Sequence, residues 1–128
     1  MTYKAKILVI DDEIDILDLL EMLLTTEGYE VFQASNGMDG LLYADIHQPD
    51  LILLDLMMPG MDGPQTLKAL QQRPEGLNIP VIFMTARLQP SEIEEYRLLG
   101  AIGVIPKPFD PMTLADDIRR LVADHPER

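Results

Sequence analysis

Apolar runs and helical periods alternate along this chain. The strongest run, Leu51-Ile52-Leu53-Leu54, has no polar side, so it predicts a strand buried on both faces. It leads straight into Asp55-Leu56-Met57-Met58-Pro59-Gly60, where Pro59-Gly60 breaks regular structure. Ile7-Leu8-Val9-Ile10 predicts a first buried strand ending in Asp11-Asp12-Glu13, and Glu30 to Ala34 a weaker second one. Ile79 to Met84 predicts a fourth, with Pro80 tolerable near its start, ending in Thr85-Ala86. Ile102 to Ile105 predicts a fifth, followed by Pro106-Lys107-Pro108-Phe109. Between the runs the period becomes helical. From Glu13 to Glu27, Leu17, Leu20 and Leu24 share one face, and Gly28 suits the left-handed residue that ends the helix. Asn36-Gly37 ends the second strand. Met38, Leu41 and Leu42 then begin a helix that Pro49 closes. Asp62, with Gln65 at the reciprocal position, starts a third helix that reaches about Gln72, and Arg73 to Asn78 is a loop. Ser91 and Glu94 form a capping box for a fourth helix stopping at Gly100. Asp110-Pro111 opens the last helix, with Leu114, Ile118, Leu121 and Val122 on one face.

Five strands alternating with five helices predict an α/β fold. Strands this buried and crossovers this long need a parallel sheet covered on both sides, a (βα)5 doubly wound three-layer sandwich. The 128 residues suit one domain spanning 1–128, and no internal repeat or linker divides them. An apolar share of 47% supports a packed core and excludes disorder. No cysteine is present, which removes disulfides and thiolate metal sites. No apolar run approaches the length of a membrane span and the N-terminus lacks a signal-peptide apolar region, so a cytoplasmic protein without membrane contact is expected. Ten basic against 22 acidic residues give a net charge of −12, which repels phosphate backbones and argues against direct nucleic-acid binding.

The polar residues that end the strands carry the chemistry. Parallel strands expose their carboxyl ends at one edge of the sheet. Asp11 and Asp12, Asp55, Thr85 and Lys107 are therefore expected to converge there. Two carboxylates 4 Å apart repel by about 4 kcal/mol at an effective dielectric near 20. Either one is protonated or a cation sits among them. Oxygen-only ligands call for a hard cation, and Mg²⁺ fits best because it keeps waters that a phosphate can replace. A lysine and a hydroxyl beside such a site suit the equatorial oxygens of a phosphoryl group. Asp55 is the natural nucleophile, forming an aspartyl phosphate.

Val9-Ile10-Asp11-Asp12-Glu13, Leu54-Asp55-Leu56-Met57-Met58-Pro59-Gly60-Met61-Asp62-Gly63, Met84-Thr85-Ala86 and Pro106-Lys107-Pro108-Phe109 together resemble the receiver domain of two-component response regulators, over essentially the whole chain. The resemblance implies a flavodoxin-like (CheY-like) sheet in the order 2-1-3-4-5. It implies a signalling domain rather than an enzyme, in which Asp55 accepts a phosphoryl group from a histidine kinase or phosphotransfer protein. Asp12 and Asp55 would ligate Mg²⁺ directly, together with the Met57 backbone carbonyl, and Asp11 would act through a metal-bound water. Lys107 would pair with the phosphate, and the Lys107–Pro108 peptide would be cis. Thr85 would turn inward on phosphorylation and reorganise helix four, strand five and helix five. That surface would control a downstream protein or output domain, as a monomer or a phosphorylation-dependent homodimer. Met57 and Arg87, near the phosphate, would tune the access of water. The family often carries an aromatic residue on strand five where this chain has Val104. A valine fills space behind Thr85 but cannot swing, so the usual coupling is left open.

Other readings compete with this one. Asp11 and Asp12 alone read as a helix cap and first-turn acid, and Asp55 alone as a turn cap. Lys107 alone reads as a solvated lysine, and Thr85 alone as a cap of helix four. His47 and His125 read as surface residues outside the cluster, and Met57, Met58 and Met61 as packing or loop contacts. A phosphatase of the haloacid dehalogenase type also places a nucleophilic aspartate after a buried strand. It needs a general acid two residues on, where this chain has Met57. An interaction module that no longer takes phosphate would not need Asp12, Asp55, Thr85 and Lys107 together.

Overall fold

A computed structural model describes residues 5–74, 79–86 and 89–124. Its elements run β1 (Lys6–Ile10), α1 (Ile14–Thr26), β2 (Glu30–Ala34), α2 (Gly37–His47), β3 (Leu51–Asp55), α3 (Gly63–Gln71), β4 (Val81–Thr85), α4 (Pro90–Leu99), β5 (Gly103–Pro106) and α5 (Leu114–Ala123). The five strands are parallel in the order β2-β1-β3-β4-β5, as the resemblance implies. All five residues of β3 are buried, which is why its sequence shows no polar side.

Strand alternation divides the core in two. Ile7, Val9, Leu51, Leu53, Ile82 and Met84 face α1 and α5, where Leu17, Leu20, Leu24, Leu114 and Ile118 meet them. Leu8, Ile10, Ile52, Leu54, Val81 and Phe83 face the other way, onto Leu41 and Ala44 of α2 and Leu67 and Leu70 of α3. Each fully buried aliphatic side chain contributes about 1.5–3 kcal/mol. Gly28, at φ +96°, ends α1 as expected. Asp62 and Gln65 complete the expected reciprocal cap of α3.

Several expectations need correction. In α2 only Leu41 of the predicted face is buried, while Met38 and Leu42 are 64% and 52% exposed. The buried side is instead Gly37, Gly40, Leu41 and Ala44, and its two glycines let the helix approach Ile10, Met61 and Thr66 closely. The α4 cap is Gln89 with Pro90 in the first turn, and no Ser91–Glu94 box forms. Proline presets the helical φ and starts the helix two residues earlier. Asp110 caps a separate turn, accepting from the Met112 amide at 2.9 Å, and α5 begins only at Leu114. His47 is half-buried, its ring stacked on Phe32 at 3.8 Å. Arg87, His125 and the Glu75 to Asn78 part of the predicted loop lie outside the described residues.

Candidate functional site

The register brings the strand ends together. Ile10 pairs with Leu54 and Asp55 with Met84, so Asp11 follows β1 alongside Asp55, and Thr85 ends the next strand. Thr85 pairs with Pro106, and the Lys107 amide donates to the Thr85 carbonyl at 2.8 Å, which holds Lys107 at the same edge. The Lys107–Pro108 peptide is cis, as expected. Asp11 is fully enclosed, and Asp55 and Thr85 are buried, whereas Asp12 is exposed. Met57 reaches into solvent at 75% exposure, while Met58 is buried.

Lys107 is the hub. Its Nζ lies 2.6 Å from Asp11 Oδ2, 3.3 Å from Asp55 Oδ1 and 3.8 Å from Glu13 Oε1. Asp11 Oδ1 accepts the Glu13 amide at 2.8 Å, a turn that leads into α1. The Met57 amide approaches Asp55 Oδ1 at 3.4 Å. The β3–α3 loop folds back through the Gly63 amide, which donates to the Leu56 carbonyl at 3.0 Å. Burial, and then the negative charge of Asp11, push the Asp55 carboxyl up to about 6, although Lys107 pulls the other way. Burial alone would push the Lys107 ammonium down. Its contacts with Asp11 and then Asp55 outweigh that and hold it above the ordinary lysine range.

One oxygen from each of Asp11, Asp12 and Asp55 falls within a 4.8 Å group, so the three acids suit a shared cation. Asp11 Oδ2 is buried and meets no well-angled hydrogen-bond donor among the described residues; the ammonium is its ion-pair partner. The Asp55 carboxyl, raised first by burial and then by the charge of Asp11, sits where a cation would offset both. All-oxygen donors fit a hard divalent ion, and Mg²⁺ needs only one or two carboxylates.

The site opens into a cleft of about 420 Å³ lined by Glu13, Asp55, Thr85 and Lys107 and by Gln89, Glu92 and Tyr96 of α4 and its cap. All four groups expected to converge with Asp12 do so. Sequence reasoning missed Glu13 as a neighbour of Lys107, and also Gln89, Glu92 and Tyr96. Tyr96 left a readable signal, because it follows Ile93 by three residues and precedes Gly100 by four, on the side of α4 that faces the sheet.

A family model described as response regulator receiver domain matches residues 7–119. Sporulation initiation phosphotransferase F of Bacillus subtilis is 42% identical over 115 residues, 90% of this chain and 91% of that protein. The alkaline phosphatase synthesis transcriptional regulatory protein PhoP of Bacillus subtilis is 41% identical over 106 residues, 83% of this chain but 43% of that longer protein. Among solved structures, the chemotaxis response regulator CheY4 of Vibrio cholerae superposes with a TM-score of 0.87 at 33% identity, covering 93% of this chain and 99% of that one.

Proposed function

The chain belongs to the response regulator receiver domain family of two-component systems, and on that premise we propose that Asp55 is its phosphoacceptor. The observation that carries this reading is the position of Lys107 Nζ, 3.3 Å from Asp55 Oδ1 at the mouth of the cleft that Thr85 also lines. An Asp55 carboxylate oxygen attacks the phosphorus of a phosphohistidine on a histidine kinase or phosphotransfer protein. The new O–P bond forms as the N–P bond breaks, and the imidazole leaves. Lys107 meets one oxygen of the transferred group and the Thr85 hydroxyl another. Asp12, Asp55 and the Met57 carbonyl, with Asp11 behind them, would hold Mg²⁺. When bound, the ion neutralises charge on the phosphoryl oxygens. Met57 offers an attacking water no side-chain hydrogen bond.

Receiver domains are signalling domains, and the output here is a change of surface. Thr85 lies between the acceptor and α4, so the reading assigns α4, β5 and α5 to a downstream protein or output domain. No helix among the described residues is long and apolar enough to cross a membrane. The cytoplasm is the setting that fits a kinase partner. Intact mass after acetyl phosphate and Mg²⁺ tests the assignment. One added phosphoryl group is expected on the wild type and none on Asp55→Asn, and a label that survives the substitution removes Asp55 as the acceptor.

A further inference from the structure

We propose that Tyr96 of α4 is the positioning residue that couples Thr85 to the outer surface of the domain, an inference that rests on Asp55 as phosphoacceptor. Phe83 and Val104 are register partners on β4 and β5, so they share one face of the sheet. Thr85, two residues beyond Phe83, repeats that face. The Tyr96 ring meets Phe83 edge-on, with centroids 5.4 Å apart and planes at 71°. Val104 and Tyr96 pack against the same apolar cluster, so a short side chain on β5 leaves room that a ring from α4 fills. The same ring lines the cleft that holds Asp55, Thr85 and Lys107.

The seat of α4 makes that ring consequential. No residue of α4 is buried, so few contacts hold the helix. Its C-terminal end is pinned: Gln71 Nε2 donates to the Leu99 carbonyl at 2.8 Å, and the Ala101 amide to the Tyr96 carbonyl at 3.1 Å. At the other end Gln89 gives no side-chain cap bond. Tyr96 is carried on α4 itself, so ring and helix move as one piece, and its hydroxyl donates to Glu92 Oε2 at 3.3 Å, one turn back on the same helix. When the Thr85 hydroxyl is drawn to a phosphoryl group on Asp55, space beside Phe83 is freed. The Tyr96 ring moves into it and carries α4 about its pinned end.

The test uses the full chain carrying 3-fluorotyrosine at its four tyrosines, with beryllofluoride and Mg²⁺ as the acyl-phosphate mimic. Bound beryllofluoride gives its own fluorine signal, which is expected in the wild type and absent in Asp55→Asn. The Tyr96 resonance, assigned by its loss in Tyr96→Phe, is expected to move on binding while those of Tyr29 and Tyr43 hold. Thr85→Ala should bind the mimic yet leave the Tyr96 resonance in place, and Thr85→Ser should restore the movement. Tyr96→Phe should keep the accompanying amide shifts of α4, and Tyr96→Ala should lose them with the mimic still bound. A bound mimic with a motionless Tyr96 resonance overturns the proposal, as does equal movement in Thr85→Ala. Absence of bound mimic from the wild type overturns the assignment of Asp55 instead, and the proposal falls with it.

Discussion

Lys107 Nζ lies 2.6 Å from Asp11 Oδ2, closer than its 3.3 Å approach to Asp55. Asp11 is fully enclosed, so before any phosphoryl group arrives this lysine is first the counter-ion of a buried carboxylate. Sequence reasoning gives Lys107 the phosphate as its partner, and the ion pair with Asp11 adds a part in stability.

Lys107→Ala should therefore destabilise the fold. Stranding one partner of a buried pair costs about 3–5 kcal/mol, and the lower end applies because Asp55 can take up a proton. Mg²⁺ should restore part of the loss by supplying positive charge. Thermal melts in EDTA and in Mg²⁺ check this. Equal melting of variant and wild type in EDTA would mean that the pair contributes nothing.

The Asp55 carboxyl, held at about 6 against an ordinary 3.8, makes stability depend on pH. A raised folded value means that the protonated form is favoured in the fold. The stability linked to it is complete below about pH 4 and is lost as the pH rises through about 6. Asn at position 55 does not titrate. Without metal, Asp55→Asn and wild type should melt alike near pH 4. The variant should then gain an advantage of at most about 3 kcal/mol that is complete somewhat above pH 6. A constant gap across that window would show that Asp55 is not the group responsible.

The sheet and the five strand-end groups of the site were legible because a parallel sheet collects its strand ends at one edge, and Ile7–Ile10 and Leu51–Leu54 announce their ends with acids. The face of α2 was not. Apolar spacing favoured Met38 and Leu42, but close packing against Ile10 selected Gly40, and hydrophobicity does not report the space a glycine frees. The start of α4 misled because Pro90 acts through backbone geometry, which here outweighed the side-chain bonds of a capping box. The Lys107–Asp11 pair joins residues at opposite ends of the chain, and no local pattern distinguishes it from a lysine that meets Asp55 alone.

Gly63 should prove intolerant of a side chain. A Cβ there would lie 2.7 Å from the Asp55 carbonyl oxygen and 2.8 Å from Leu56 Cα, both backbone atoms that cannot swing aside. Gly63→Ala should cost about 1–3 kcal/mol through overpacking and push the loop that carries Asp55. Phosphorylation by acetyl phosphate should slow along with the loss of stability. A stable variant with an unchanged rate would show that the loop has room to spare.

The shared acidic group sets the last expectation. Asp11, Asp12 and Asp55 each bring an oxygen into one 4.8 Å group, with the Lys107 ammonium beside them among the described residues. A divalent ion that binds the folded form alone stabilises it by mass action, about 2.7 kcal/mol at 100 times its dissociation constant. Wild type should therefore melt higher in Mg²⁺ than in EDTA. Asp55→Asn loses a charged ligand and also part of the repulsion, so it should melt above wild type in EDTA at neutral pH and gain less from Mg²⁺. Four melts decide it: two proteins, each with EDTA and with Mg²⁺. Suppose that the variant melts below wild type in EDTA and that Mg²⁺ raises both by the same amount. The three carboxylates then do not share an ion, and Asp55 stands at the sheet edge for some purpose other than holding a metal beside a phosphoryl group.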